Sequence, residues 1–298
     1  MLLRNQEQQN FLLSEVKKIA KDINARLIFG AMMGSTSRGT QRADSNYDVR
    51  FLYLRGDFPE KNCIPFQMGE DELVKRSWLE DKTFGCVPLW EATSFLHFLL
   101  EPRFTDEISD GLYVAVELTF RSPYTWDPYG LQGKLVPLLN KIFRGEYAIS
   151  YYAKELERYR AGLYQGAGVV KKYLRAVHAA AAIEWCVKYS EFPPVDLETL
   201  LRGLGRIAVW EETKKILYQA RKDVRQVWEK GLSKQDLVKT ISPTILTPNN
   251  PILLEYIDMV ACHTSLRDAE NENDIIDATE IVNSMYEIIY RAVFESDE

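Results

Sequence analysis

The chain has 298 residues and a formal net charge of −6, with 46% hydrophobic and 27% charged residues. These values are typical of a globular protein and exclude a chain that is disordered or fibrous throughout. A general nucleic-acid-binding protein carries a broad excess of positive charge, which is absent here, so a long duplex nucleic acid is not an expected partner. The 4 cysteines form no CxxC pair, which indicates reduced thiols and argues against a structural zinc site.

The N-terminal sequence lacks the apolar core and the small-residue cleavage site of a secretory signal. The longest apolar stretches, such as FLHFLL at 95–100, are too short to span a bilayer. We therefore expect a cytoplasmic protein without a membrane partner.

The first third of the chain alternates between helical and extended patterns. Apolar residues at three- and four-residue spacing predict a helix over 8–24. The apolar run RLIFGAMMGS at 26–35 predicts a buried strand, and YDVRFLYL at 47–54 predicts a second one. A third strand is predicted at 73–79, and PLWEATSFLHFLL predicts a helix that opens at Pro88.

The rest of the chain is predicted to be mostly helical, with breakers at 122–130, 191–196 and 242–251. The predicted helices are 110–120, 131–143, 148–165, 168–189, 196–203, 208–230 and 273–294. The fold class is therefore α+β: a small mixed-sheet domain over 1–130, followed by an all-helical domain over 131–298. Residues 141–188 carry nine Lys and Arg against four Glu. This local positive charge suits either a phosphorylated ligand or a solvated helix face.

The segment MGSTSRGTQRADSNYDVRFLYL at 33–54 contains the first candidate site. Gly34 has no Cβ, so backbone N–H groups can approach an anion closely, and the Ser35 hydroxyl can donate to a phosphate oxygen. Arg38 and Gly39 continue the small and basic character of the same loop. The chain has no GxxxxGK[ST] motif, so this is not the P-loop of the ATPases. The pattern predicts a phosphate-binding turn of another kind.

Asn46 comes just before the second predicted strand and Asp48 lies in it, and alternate residues of an extended segment share one face. Oxygen-bearing side chains beside a phosphate-binding turn suit Mg²⁺ or Mn²⁺, because Mg²⁺ takes one or two carboxylates and completes its shell with water and phosphate oxygens. Phosphoryl chemistry with two such ions would normally use two carboxylates, whereas position 46 is an asparagine.

These residues resemble a known signature. Gly34-Ser35, a short spacer and Ser45-x-x-Asp48 resemble the nucleotidyltransferase motif of the DNA polymerase beta superfamily. SNYDVRFLY is similar to the SDYDVRF segment of a bacterial and phage family of predicted nucleotidyltransferases, one branch of which is linked to RNA repair. Three later segments resemble further motifs of that family in the same order: VPLWEATSFLHFLLEP (87–102), ELTFRSPYTW (117–126) and KKYLRAVHAAAAIEW (171–185).

The resemblance implies a helical domain that closes over a nucleotide. It implies that Gly34 and Ser35 hold the triphosphate of a nucleoside triphosphate (NTP) such as ATP. Asp48 would bind the metal ion, and Asn46 stands where the family has its first metal-binding aspartate.

The resemblance also implies that Lys171 and Lys172 neutralise phosphate charge, since they match a Lys-Lys pair of the family. The superfamily uses a third acidic residue on a later strand, and that place falls near Thr83. Asp81 is the neighbouring carboxylate and is the candidate third metal ligand.

Three functions stay open at this point. The first is transfer of a nucleoside monophosphate from an NTP to an acceptor, which is an RNA end, a protein side chain or a small molecule. The second is nucleotide binding or sensing without turnover, because Asn46 lacks the negative charge of an aspartate. The third is a partner-binding protein with a vestigial site. Arg50 is expected either to hold the carboxylates in place or to contact the ligand.

Overall fold

The predicted α+β class is confirmed by a computed structural model, which shows a mixed four-stranded sheet with helices. The structure describes residues 6–41, 45–55, 87–100, 109–164, 170–229, 250–264 and 278–295. In these ranges no helix combines the length and the apolar character needed to cross a membrane.

The sheet has the order β3-β2-β1-β4. β1 is antiparallel to both β2 and β4, and β2 is parallel to β3. The bounds are β1 Ala25–Met33, β2 Asp48–Arg55, β3 Leu89–Glu91 and β4 Thr125–Trp126. The two strands predicted at 26–35 and 47–54 are confirmed. The strand predicted at 73–79 lies outside the described residues.

Helix α1, Gln6–Asp22, packs against the sheet and buries its apolar side. It places Leu12, Val16 and Ile19 in a core that includes Phe51 and Leu89. These helix residues recur every three or four positions, so one side of α1 faces the core and the other faces solvent. The helix predicted over 8–24 is therefore confirmed.

The other helices follow the breakers that the sequence shows. Their bounds are α2 Gly34–Ser37, α3 Ala92–His97, α4 Ser109–Phe120, α5 Leu131–Lys141, α6 Gly145–Tyr164, α7 Val170–Tyr189, α8 Leu197–Gly203, α9 Ile207–Glu229, α10 Pro251–Thr264 and α11 Ala278–Phe294.

Two local predictions are wrong. The helix predicted to open at Pro88 begins only at Ala92, because Leu89–Glu91 pairs with β2 and the Glu91 side chain caps the helix by accepting from Ser94 N at 2.8 Å. Helix α10 was missed, because Pro251 was interpreted as part of a breaker. Proline is favoured at the first position of a helix, and the Asn250 side chain accepts from Leu253 N at 3.3 Å.

The described chain forms two compact units that alternate along the sequence. The first unit comprises Met1–Ser37, Asn46–Phe143 and Asn273–Glu298, and it contains the sheet. The second unit comprises Arg38–Ser45 and Arg144–Glu272, and its described elements are helices. The loop that carries the candidate motif therefore contributes residues to both units.

Candidate functional site

Gly34 and Asp48 meet at the end of β1 in the first unit. The antiparallel register places Asp48 opposite Met33, the residue before Gly34. Gly34 has a φ of 67°, in the left-handed region that favours glycine. A Cβ atom built on Gly34 would overlap the Asp48 carboxylate, so only glycine lets the two approach this closely. The structure thus brings together the two residues on which the sequence prediction most depended.

Ser35 lies in the single helical turn α2 that follows Gly34, and it is half-buried. The Ser37 hydroxyl donates to Gly34 O at 3.0 Å and stabilises this turn from within. The short turn between β1 and the loop therefore holds Gly34 and Ser35 in one compact backbone segment, next to a carboxylate from the neighbouring strand.

Asn46 precedes β2 by two residues, and its side chain is exposed. Asp81 lies outside the described residues. The register of β3 pairs Leu89 with Phe51 and Trp90 with Leu52, so the described part of β3 places no carboxylate opposite Asp48. Within the described ranges, no group of three or more His, Cys, Asp or Glu residues is arranged to hold a metal ion.

Arg50 of β2 contacts strand β3 and helices α3 and α4. Its Nη1 donates to Ala115 O at 2.8 Å and to Thr119 Oγ1 at 2.7 Å, both on α4. The guanidinium also lies 5.7 Å from the Trp90 ring centroid and 5.5 Å from that of Phe95, within cation–π range. These contacts give Arg50 a role in packing β2 against helices α3 and α4, which neither of the two sequence-based interpretations had included.

Comparison with known proteins gives little beyond this geometry. No family model matches the sequence. The chain is 22% identical, over 198 residues, to a Bacillus subtilis (strain 168) protein described as "Uncharacterized protein YcgL". The matched region covers 65% of this chain and 68% of that protein. That description states no activity and assigns no role to the residues of the Gly34 turn.

The three predicted phosphate-binding cations, Arg38, Lys171 and Lys172, lie in the second unit. The Arg38 carbonyl accepts from Leu197 N at 3.1 Å, which fixes the backbone of this loop at the start of α8. Helix α7 leaves Lys171 exposed and Lys172 half-buried, as expected for neighbours that point about a hundred degrees apart.

Arg175 is a further cation of α7 that the sequence prediction missed. It lies four residues after Lys171, a spacing that places both on one side of the helix. Its Nη1 donates to the hydroxyl of Tyr159 on α6, and its guanidinium lies 5.3 Å from the centroid of that ring. Burial, and then Glu155, raise the pKa of Tyr151 above its ordinary value, while the charges of Arg38 and Arg175 lower it in part.

His178 is a buried residue of α7 that contacts the turn before α8. Because a carbonyl only accepts, Nε2 carries the proton and donates to Val195 O at 3.1 Å. Burial, and then the charge of Arg38, lower the pKa of His178 to about 3. The imidazole is therefore neutral near pH 7 and stabilises the turn that leads into α8.

Gly39 repeats the geometry of Gly34 within the second unit. Its φ is 70°, and a Cβ built on it would overlap the Asp196 carboxylate. Asp196 also caps α8, since its Oδ1 accepts from Thr199 N at 2.9 Å and from Thr199 Oγ1 at 3.0 Å. Sequence reasoning noticed Gly39 only as a small residue, and a glycine at a positive φ leaves no other local signal.

Proposed function

We propose that this chain binds an NTP at the Gly34 turn and transfers a nucleoside monophosphate to an acceptor hydroxyl. The observation that carries the proposal is the packing of the Asp48 carboxylate directly against the Cα of Gly34, at the end of β1. Such an arrangement places a carboxylate beside a half-buried glycine turn, where a metal ion would join it to a phosphate. The resemblance of residues 34–48 to the nucleotidyltransferase signature supports the same function.

The roles of the individual residues follow from their chemistry. Gly34 and Ser35 would hold phosphate oxygens through backbone N–H groups and a hydroxyl. Asp48, with the amide oxygen of Asn46, would hold Mg²⁺ or Mn²⁺, because carboxylate and amide oxygens suit a hard cation that also binds phosphate oxygens. When bound, the metal would supply positive charge that stabilises the phosphorus centre. Arg38, Lys171 and Lys172 belong to the second unit, and their contact with phosphate stays a prediction from the sequence.

Nucleotide sensing without turnover is the second candidate function, and Asn46 favours it. An amide oxygen is a neutral ligand, so a site with Asn46 and Asp48 carries one negative charge less than a site with two aspartates. Weaker metal binding slows transfer more than it weakens NTP binding, because the metal's main contribution is to charge that develops in the transition state.

The test is incubation of the full chain with each radiolabelled NTP and Mg²⁺ or Mn²⁺, in the presence of RNA, protein or small-molecule acceptors. Transfer of label that Ser35→Ala and Asp48→Ala abolish is the expected result. Ser14→Ala, on an exposed part of α1, is the matched control and should keep full transfer.

Two other outcomes are informative. Metal-dependent NTP binding without transfer to any acceptor would replace the enzyme proposal with the sensing function. Absence of any metal-dependent NTP binding, in the unsubstituted chain as well as in both variants, would overturn both functions.

A further inference from the structure

The first unit has a second candidate site, at the opposite end of β1 from Gly34. A surface pocket of about 540 Å³ lies where α1, the start of β1, the segment after β4 and the end of α11 meet. β1 has nine residues, so its two ends are roughly 27 Å apart at about 3.4 Å per residue. The lining side chains that matter here are Lys17, Lys21, Arg26, Trp126, Tyr129 and Phe294.

The charge of this pocket is positive. Lys17, Lys21 and Arg26 line it, and none of the lining residues is acidic. Lys17 and Lys21 are one helical turn apart on α1, where like charges repel by a few tenths of a kcal/mol, roughly. Neither lysine forms an ion pair with a described residue, whereas the neighbouring Lys18 pairs with Glu15 at 2.6 Å. An anion bound between the lysines would remove this repulsion.

Aromatic rings lie beside these cations. The Lys17 ammonium is 5.9 Å from the Trp126 ring centroid, and the Arg26 guanidinium is 5.9 Å from that of Tyr129. Trp126 is held in place because it packs edge-on against Phe51, with ring centroids 6.4 Å apart. Arg26 is held in place because its Nη1 donates to a backbone carbonyl of α11 at 2.8 Å. A ring and a cation that are fixed before binding lose little entropy when a ligand arrives.

We propose that this pocket binds a nucleoside phosphate. The phosphate lies between Lys17, Lys21 and Arg26, and the base stacks on Tyr129, a contact that every base can make. The volume is within the range of small-molecule sites, about 300 to 1,000 Å³. The ligand is either a free nucleotide or the 5′-phosphorylated end of a single strand, since both present the same chemistry. Binding here needs no metal ion, because the protein itself supplies the positive charge, and the proposal is independent of nucleotidyl transfer.

The test measures binding by calorimetry to the full chain in EDTA. AMP should bind, and adenosine and ribose 5-phosphate, each of which keeps half of the contacts, should bind at least about tenfold more weakly. A 5′-phosphorylated tetra-adenylate distinguishes the sources: tighter binding than AMP assigns the strand end, and equal or weaker binding assigns the free nucleotide. No binding of AMP in EDTA would overturn the proposal, as would inorganic phosphate binding as tightly as AMP.

The variants separate this pocket from general charge effects. Lys17→Glu should weaken AMP binding at least about tenfold, because a cation that faces the phosphate becomes an anion. Lys18→Glu makes the same charge change on the next residue of α1 and should leave binding unchanged. Tyr129→Ala should weaken binding and Tyr129→Phe should keep it. Equal losses in the two lysine variants, with α1 still folded by circular dichroism, contradict the proposal.

A last variant distinguishes this proposal from the proposed function. Asp48→Ala should abolish metal-dependent NTP binding and leave AMP binding in EDTA unchanged. If AMP binding also disappears in Asp48→Ala, the nucleotide was bound at the Gly34 turn and the pocket proposal is wrong. If AMP binds in EDTA and no metal-dependent NTP binding exists, the pocket stands and the proposed function falls.

Discussion

Gly34 and Gly39 are five residues apart in one loop and have the same local geometry with different consequences. Each has a left-handed φ, 67° and 70°, and each has an aspartate carboxylate packed where a Cβ would be. Asp196, beside Gly39, caps helix α8. Asp48, beside Gly34, begins β2 in the segment that resembles a metal-binding signature. A glycine–aspartate contact therefore does not by itself identify a functional site. The two contacts differ in what else the carboxylate does: Asp196 caps a helix, whereas Asp48 is the proposed metal ligand.

The largest expected effect is on stability and depends on pH. It concerns His178, which donates to Val195 O, the carbonyl just before Asp196. The pKa of His178 is about 3 in the folded protein, below the ordinary value of 6.5, so the unfolded chain binds more protons between these values. Stability from His178 is complete above pH 6.5 and decreases as the pH falls towards 3, by about 3 kcal/mol between pH 6.5 and 4. Denaturant unfolding at several pH values should show a shallower acid loss in His178→Gln. An identical pH dependence in the variant would contradict this assignment.

The second prediction compares the two glycines directly. Gly34→Ala and Gly39→Ala both place a side chain at a left-handed φ, which costs roughly 1–2 kcal/mol, and both force an aspartate to move. Only Gly34→Ala should lower metal-dependent NTP affinity, by about a hundredfold or 2.7 kcal/mol. Thermal melts and NTP titrations on both variants check this difference.

A third variant serves as the control for both glycines. Gly133→Ala, inside α5, meets no atoms within 4 Å and should change neither affinity nor fold, apart from a gain of about 0.5–1 kcal/mol in stability. A loss of NTP affinity in Gly39→Ala as large as that in Gly34→Ala would mean that the two contacts do not differ in function.

The third prediction adds a carboxylate to the candidate site at Gly34. Asn46→Asp adds a second carboxylate two residues before Asp48, so affinity for Mg²⁺ in the presence of NTP should rise about tenfold, and transfer should become faster. Asn10→Asp, on the exposed side of α1, adds the same charge elsewhere and should have no such effect. Unchanged metal affinity in Asn46→Asp would show that position 46 does not face the metal.

The smallest expected effect concerns the cap that Asp196 forms on helix α8. Asp196→Ala removes the acceptor for Thr199 N and should cost about 1 kcal/mol of stability, whereas Asp196→Asn keeps a good cap and should cost less. Metal-dependent NTP binding should be the same in both variants. A large loss of binding in Asp196→Asn would give Asp196 a part in the site and remove the contrast with Asp48.

Local patterns predicted much of the fold. The periodicity of α1 and the apolar runs of β1 and β2 were visible because one face of each element is buried. Strand β3 was missed because Leu89–Glu91 is extended through pairing with β2, a distant segment, and its own sequence is compatible with a helix. Helix α10 was missed because proline at a helix start resembles proline in a loop.

The sequence by itself determined the α+β class, the glycine turn and the strand that begins with Asp48, because these depend on residue type and spacing over a few positions. Only the tertiary structure showed that Gly39 packs against Asp196, the residue that caps α8, since Asp196 comes from a segment far along the chain. It also assembled the basic pocket from Lys17, Arg26 and Trp126. Each of these residues is ordinary in its own segment, and only the packing of α1, β1 and the segment after β4 places their charges and rings together.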